Sequence, residues 1–489
     1  MDSLGALVAG EVIGDPSVVV EGITHDSRSV SAGDLYVALR GANFDGHEYL
    51  DQAVRSGAVA VCVDHATAVR ASQLVVEDPR SVMGDLAASI YDDPSHSLKV
   101  IGVTGTNGKT TVTHFIESIA QHAGKVTGLV GTIHTRYAGV TLEATMTTPE
   151  APEFQRLLAT MRDAGVSIVA AEVSSHALEL GRVRATRFDV AAFTNLSQDH
   201  LDFHGDMESY RRAKERLFSE YEVGTAVFNI DDPVGAGLAA DYEGRALTVG
   251  PGGSVSIHNV ASERGGTRLH IETPDGGMDV AVPIVGEFNL SNLAMAVACC
   301  LGAGIAFSDI AEAVPGLRGV PGRFEVVSGD DPITVVVDYA HTPEAVARAV
   351  NAGRQLTGRR VIALLGAGGD RDRAKRPAMG GALSTADLAI VTSDNPRTED
   401  PSAIIASVVA GIPDGSNTIV EVDRRTAIEI AIDAAEDGDV VLILGKGHEP
   451  YQQIGSERLA FDDRDVAATV LHQRRSSTES NPESGSITS

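Results

Sequence analysis

Short apolar runs separated by polar stretches with helical spacing recur along the whole chain. From residue 1 to about 97, strand-like runs at Val18 to Ile23, Asp34 to Leu39 and Val59 to Val63 accompany one helical stretch after His47. Tyr91-Asp92-Asp93-Pro94-Ser95-His96 is polar and carries a proline, which predicts a linker. Lys99 to Val103 is then a short apolar strand. Strands and helical stretches alternate after it, which favours a parallel sheet with helical crossovers. Within this part a Gly/Asp-rich insert, about 241–280, predicts a β-meander with turns at Gly252-Gly253, Gly265-Gly266 and Asp275-Gly276-Gly277. Pro315 to Arg323, dense in Gly and Pro, marks a second boundary. Beyond it Ile333 to Val337, Val361 to Leu365, Leu388 to Thr392 and Val440 to Leu444 predict the strands of a second doubly wound α/β domain. Arg474 to Ser489 is mostly Ser, Thr, Glu, Pro and Gly, the composition of a disordered tail without a catalytic role. The expected organisation is α/β with three domains, 1–97, 98–322 and 323–473, followed by the tail 474–489.

Polar clusters follow these strands: Thr104 to Thr111, Glu172 to His176, Thr194 to Asp202, Asp338 to Pro343, Gly366 to Arg373, Asp394 to Arg397 and Gly445 to Glu449. Open α/β sheets bind ligands beyond the carboxyl ends of their strands. Two such domains facing each other would gather all these clusters around one cleft.

Hydrophobic residues are 43% of the 489 and charged residues 22%, a globular balance with apolar surface for several cores. No window approaches the roughly 20 apolar residues of a membrane span, and Met1 to Gly10 lacks the basic leader of an export signal. The formal net charge of −28 would repel a nucleic-acid backbone. Cys62, Cys299 and Cys300 show no metal-ligand spacing and are expected as buried thiols in a reducing cytoplasm. Anionic substrates would therefore need locally concentrated positive charge.

The strongest local signal is Gly105-Thr106-Asn107-Gly108-Lys109-Thr110-Thr111, between the strand Lys99 to Val103 and a helix expected from Thr111 to about Ala123. Glycines let backbone N–H groups curl around a phosphate, and the helix start adds partial positive charge. Lys109 can then reach the β- and γ-phosphates, and the Thr110 hydroxyl can ligate Mg²⁺. The strict G-x-x-x-x-G-K-[ST] pattern is not met, because Val103 takes the first glycine position. Strand–loop–helix context disfavours the bland reading, a glycine turn with a chance lysine. The loop alone implies only nucleotide binding, as in a switch GTPase or a transport ATPase; a guanine-specifying N-K-x-D is absent, which argues against the first. Glu172 and, in Asn195 to Asp202, His200 with two further carboxylates could together hold metal bridging a triphosphate. Either residue alone could be structural; their shared place after strands favours function.

The clusters at 104–111, 172–176 and 195–202, with Gly322-Arg323-Phe324-Glu325 and Asp338-Tyr339-Ala340-His341-Thr342-Pro343, occur in the order and context of the Mur ligase family. The chain resembles that family over about 1–470. The resemblance implies an N-terminal mixed α/β UDP-binding domain, a central P-loop ATPase domain with a parallel sheet and a C-terminal Rossmann-like domain that binds an amino acid. It also implies ATP and Mg²⁺. A carboxylate is a poor acyl donor, so such ligases convert it with ATP to an acyl phosphate, which a free amine attacks. Catalysis then needs charge neutralisation and alignment of two anions. By resemblance, Gly105 to Thr111 cradle the nucleotide, Thr110 and Glu172 hold one Mg²⁺, and His200 holds a second. Asn289, Arg323, Asp338 and His341 match positions around the nucleotide. Lys214, in Tyr210 to Arg216, matches a position that is carbamylated in relatives and so serves as an anion for metal and substrate. Without the resemblance it reads as an ordinary exposed lysine.

His25 to Arg28, Thr147 to Glu150, Asp394-Asn395-Pro396-Arg397 and Gly445-Lys446-Gly447-His448-Glu449 resemble the members that add the third peptide residue to UDP-N-acetylmuramoyl-L-alanyl-D-glutamate. Ser27 and Arg28 begin the UDP site, with Gly41 to His47 nearby; Thr147, Thr148, Ser174 and Arg182 match positions that hold the sugar-peptide. Some relatives carry a glutamine two residues before that arginine. Here the residue is Leu180, which leaves that contact open. The bland reading of Arg28 and Arg182 is a surface ion pair. Arg371, Asp394, Asn395, Pro396, Arg397, Gly445 and Glu449 match contacts to the incoming amino acid. Arginine at 397 accompanies members that add meso-diaminopimelate, whereas lysine-adding members differ there. A guanidinium grips the second carboxylate of diaminopimelate with two parallel hydrogen bonds. The bland alternative pairs Arg397 with Glu399 or Asp400. Three other readings stay open: ligation of L-lysine, a folylpolyglutamate synthetase-like ligase, and a P-loop ATPase that is no ligase. The segment His25 to Arg28 favours the Mur branch. A cytoplasmic monomer with no nucleic-acid or membrane partner is expected.

Overall fold

Continuous apolar runs become strands buried on both faces, as in parallel sheets covered by helices. In the computed structural model, which describes residues 1–41, 44–263, 266–329, 331–356 and 358–479, Val361–Ala367 is buried at every position. It lies parallel between Val440–Leu444 and Leu388–Ser393. Thr334–Asp338 and Thr418–Val420 extend this sheet, and Glu325–Val326 closes one edge antiparallel, giving six strands. One face carries the helices Pro343–Leu356, Arg376–Leu383 and Pro401–Val409; the other carries Arg424–Asp433 and Asp463–Glu479. This is the doubly wound domain expected from the apolar runs.

The central sheet has eight strands. Lys99–Thr104 lies in its middle, parallel to Ile168–Glu172 on one side and Phe188–Phe193 on the other. Thr127–Val130, Val223–Asn229 and Ala246–Val249 continue it in parallel, and His134–Tyr137 and Val140–Glu143 add an antiparallel edge. Helices Lys109–His122 and Glu287–Gly302 pack in the core on one face, and Ala151–Asp163 on the other. The N-terminal domain is a five-stranded sheet in which Glu11–Ile13 is antiparallel and the other four strands are parallel. It docks on the central domain through ion pairs of Arg80 with Glu150 (3.2 Å) and Asp85 with Arg184 (2.6 Å).

Several boundaries differ from the sequence reading. The insert holds three antiparallel strands, Ser256–Glu263, Gly266–Thr273 and Gly276–Val282, but Ala246–Val249 belongs to the central sheet. Gly265, in one expected turn, lies outside the described residues, as do Ala42 and Asn43 in the segment placed near UDP. Val18 to Ile23 is replaced by a shorter strand, Gly22–Thr24, because the polar Gly14–Ser17 turn feeds an extended segment before it. The glycine loop's helix starts at Lys109, not Thr111. The last helix runs on to Glu479, into the expected tail, because Arg474 donates to the carbonyl of Ala435 (2.7 Å) and Arg475 pairs with Asp331 (2.7 Å). Residues 480–489 lie outside the described set. No helix among the described residues is long and apolar enough to cross a membrane. The three cysteines are buried and unpaired.

Leu364 is fully buried in the core beneath Ile428, Ile432 and Val466. Leu364→Ala should destabilise the C-terminal domain by about 2–5 kcal/mol through the cavity it leaves. A denaturant titration reads this as a lower midpoint for that domain; an unchanged midpoint would contradict the core assignment.

Candidate active site

The carboxyl ends of the two large sheets face one another across a cleft of about 1130 Å³, and every polar cluster placed after a strand contributes to its wall. Ser27, Arg28, Gly105, Lys214 and Pro396 stand outside that wall.

The glycine loop takes its shape from what surrounds it. Gly105 has φ +141° and Gly108 φ +88°. A Cβ would lie 1.9 Å from Thr194 Oγ1 at the first and 2.3 Å from Asn292 Oδ1 at the second. Only glycine fits either place. Asn195 clamps the loop, its Oδ1 accepting from the Asn107 amide (2.9 Å) and its Nδ2 donating to the Asn107 carbonyl (3.1 Å). Lys109 Nζ donates to the carbonyls of Gly105 (2.8 Å) and Thr106 (2.9 Å), which holds the ammonium against the loop. Burial lowers its pKa, opposed by Glu172 and Asp199.

Thr110 Oγ1 donates to Glu172 Oε2 (3.0 Å), and Glu172 also accepts from the amide (2.8 Å) and hydroxyl (3.0 Å) of Thr132. Arg323, from the start of the C-terminal domain, donates to the same Thr110 hydroxyl (3.2 Å) and stacks on Tyr339. Its Nε is buried without a hydrogen-bond partner among the described residues. Thr132 was missed by the motif search, although it too follows a strand, Thr127–Val130. Lys214 is not exposed, as the plain reading held, but buried beneath the loop. Its Nζ donates to Gly105 O (2.9 Å) and lies 4.3 Å over the Tyr210 ring. Burial, then the charge of Lys109, pushes its pKa far down. His200 sits in the left-handed region (φ +54°) with its ring against His176. Burial lowers it to about 3, so its imidazole is neutral.

Asp199, beside His200, joins the two domains. Its carboxylate lies 3.1 Å from Lys375 Nζ and 3.6 Å from His341 Nε2. Burial would raise Asp199, but the His341 hydrogen bond and the charge of Lys375 hold it well below the usual carboxylate range. Asp338, expected around the nucleotide, spends one oxygen on the amide of Phe324 (2.7 Å) and the other on that of Ala340 (2.9 Å). Asn289 lines the cleft while its Nδ2 donates to Val285 O (3.1 Å).

Among the residues expected at the sugar-peptide, Thr148 Oγ1 donates to the Glu172 carbonyl (2.8 Å) and accepts from the Ser174 amide (3.1 Å). Thr147 Oγ1 meets Thr132 Oγ1 at 3.0 Å. Arg182 reaches the cleft but pairs with Glu150 (2.9 Å). Ser27 is buried; Arg28 is 84% exposed at its side chain and pairs with Asp26 (2.7 Å), the bland alternative for that residue.

The remaining wall comes from the C-terminal domain. Glu399, a candidate partner of Arg397, is taken by Arg376 (2.8 Å) and Arg373 (3.2 Å). Asp400 caps the next helix through Ser402 N (3.0 Å). Arg397 makes no ion pair among the described residues; its Nη1 donates to Gly369 O (2.6 Å). Its backbone, at φ +50°, bridges to the hairpin Tyr451–Ala460 through Gln453 O (3.1 Å) and Gly455 N (2.7 Å). Asn395 Nδ2 donates to Glu449 Oε2 (2.6 Å), and its Oδ1 accepts from Gln453 N (2.7 Å), so this amide ties elements together. Burial and Asp394 raise the pKa of Glu449. Arg371 and, from the hairpin, Arg458 also line the cleft. Lys375 and Arg458 carry no local motif; only folding brings them here.

This architecture, a glycine-loop ATPase domain between two α/β domains, matches the family model of the Mur ligase middle domain over residues 103–300. Residues 322–447 match the Mur ligase glutamate ligase domain, and 19–91 the Mur ligase family catalytic domain. The chain belongs to the Mur ligase family, and it is an ATP-dependent ligase that forms an amide bond in a peptidoglycan precursor. Curated relatives include UDP-N-acetylmuramoyl-L-alanyl-D-glutamate–2,6-diaminopimelate ligases of Gloeobacter violaceus and Aquifex aeolicus. The first is 48% identical over 94% of this chain and 96% of its own length; the second is 43% identical over 92% and 94%. A solved structure of a ligase of that name superposes with a TM-score of 0.70 at 32% identity, covering 96% of this chain and 99% of that one. The fold is shared by MurF ligase from Thermotoga maritima in complex with ADP, with a TM-score of 0.67 at 21% identity over 94% and 99% of the two chains.

Lys109→Ala should keep the fold and lose about 10²–10³-fold in kcat, the usual size for one lost electrostatic contact to a transition state. ATP-dependent amide formation with circular dichroism measures both; near-normal turnover by a folded variant would remove Lys109 from the phosphate site.

Proposed function

We propose that this chain joins meso-diaminopimelate to UDP-N-acetylmuramoyl-L-alanyl-D-glutamate, converting ATP to ADP and phosphate, as a cytoplasmic monomer. The observation that carries the choice of amino acid is Arg397, a guanidinium at the cleft wall with no carboxylate partner among the described residues, while Glu399 is occupied elsewhere. The names of the relatives support the same substrates.

The reaction has two steps. An oxygen of the dipeptide carboxylate attacks the γ-phosphorus of ATP, the bond to the bridging oxygen breaks, and ADP leaves. The neutral amine of the amino acid then attacks the acyl carbon, phosphate leaves, and the amine loses its proton. Loop amides and Lys109 gather the triphosphate, and the unsatisfied Nε of Arg323 is a donor ready for a nucleotide oxygen. The Thr110 hydroxyl beside the Glu172 carboxylate offers the hard oxygen donors Mg²⁺ takes, and neutral His200 could serve a second ion. Magnesium would supply charge neutralisation on the phosphates. Arg397, with Arg371 and Arg458 near it, would hold the distal carboxylate, and Glu449 and Asp394 an ammonium. The alternative, L-lysine, would leave Arg397 unpaired.

Wild type should prefer meso-diaminopimelate to L-lysine by at least ~10² in kcat/KM, since ~3 kcal/mol corresponds to that ratio. Arg397→Ala should erase most of the preference. Mass spectrometry of products with a panel of amino acids checks the identity; a wild-type preference for lysine, or an intact preference in the variant, would overturn the specificity and leave the ligase standing.

Lys214 is proposed to work as a carbamate, formed when its neutral amine adds CO₂ and loses a proton. Its place supports this: a buried amine under the phosphate loop with no ion pair among the described residues. Lys214→Ala should be nearly inactive and regain part of its activity with a small added carboxylic acid. An unmodified ammonium in a high-resolution map of an active preparation would count against it.

A further inference from the structure

We propose that Arg424 is a positioning residue that holds the two amino-acid loops at a fixed separation, an inference that rests on the assignment of those loops above. Arg424 opens the helix Arg424–Asp433, is 1% exposed and takes no part in the cleft wall. Its guanidinium makes four hydrogen bonds to three residues. Nε and Nη2 grip Asp463 (2.8 and 2.6 Å), Nη1 reaches the carbonyl of Ser393 (3.2 Å), and Nη2 reaches that of Leu444 (3.1 Å).

Those two carbonyls mark the ends of separate strands. Ser393 ends Leu388–Ser393, and the next residue is Asp394; Leu444 ends Val440–Leu444, and the next residue is Gly445. The strands are not neighbours, because Val361–Ala367 lies between them. The sheet ladder therefore ties neither end to the other. Arg424 spans the gap at the base of the loops, and Asn395 with Glu449 spans it nearer the tips. An amino acid held by Arg397 and Asp394 on one loop and by Glu449 on the other must feel that separation.

Stability alone gives little reason for the pair. A buried ion pair often contributes no more than apolar side chains of the same volume. What apolar groups cannot do is donate from one rigid plane to two carbonyls at once. A lysine could reach some of these acceptors but lacks the planar fork.

The test replaces the pair by apolar groups, Arg424→Met with Asp463→Leu, in the full chain, with Arg424→Lys beside it. Steady-state constants are measured for all three substrates, and folding by thermal denaturation. Wild-type turnover of meso-diaminopimelate checks the assignment of the loops separately from the variants. In the folded double variant KM for the amino acid should rise at least about tenfold, with KM for ATP and for the UDP-dipeptide within about threefold of wild type. Arg424→Lys should show the same pattern at smaller size, and it carries the test alone if the double variant does not fold. An unchanged KM for the amino acid, a rise shared by all three substrates, or a fall in kcat alone would overturn the positioning role.

Discussion

The contact on which the cleft depends is Asp199 with Lys375. Each large sheet has its own cores, and Val285 and Phe288 of the central domain join the C-terminal one. Asp199 ends the loop after Phe188–Phe193, and Lys375 precedes the helix Arg376–Leu383, so their 3.1 Å contact joins the carboxyl edges of both sheets. Removing one partner from such a buried pair leaves an uncompensated charge. The bond from Arg323 to Thr110 adds another tie, and it places a C-terminal-domain guanidinium on a hydroxyl in the first turn of the glycine loop's helix.

Within that frame the chemistry divides by charge. Backbone amides, Lys109 and Arg323 gather at the glycine loop, where anionic phosphates need them. Beneath it lies Lys214, its amine buried against the Gly105 carbonyl and the Tyr210 ring and its pKa pushed down by that burial. Across the cleft, Arg371, Arg397 and Arg458 stand near Asp394 and Glu449, a mixture of signs suited to a zwitterion with an extra carboxylate. In a chain of net charge −28, Lys109, Arg323, Arg371, Arg397 and Arg458 bring local positive charge to a cleft wall that also carries many carboxylates.

The wall around Arg397 also shows how neighbouring carboxylates are kept from neutralising a cation. Glu399 lies two residues from Arg397, close enough in sequence for a surface pair. The left-handed backbone of Arg397 and its bridges to the hairpin leave Glu399 to Arg376 and Arg373. Backbone conformation, more than local charge, decides which guanidinium remains available.

The apolar runs by themselves determined the doubly wound C-terminal sheet, the central parallel strands and the rule that polar clusters follow strands. Burial on both faces leaves an unbroken apolar pattern that can be read locally. The glycine loop was legible for the same reason, since its backbone geometry admits no side chain at Gly105 or Gly108. Element ends were less so: the last helix runs on to Glu479, where Arg474 and Arg475 bond to Ala435 and Asp331, 39 and 144 residues away. Arg28 pairs locally with Asp26, whereas the burial of Lys214, the roles of Thr132 and Lys375 and the brace at Arg424 come only from packing. Each needs partners tens to hundreds of residues away, and spacing along a chain carries no record of which elements a folded core will bring within hydrogen-bonding distance.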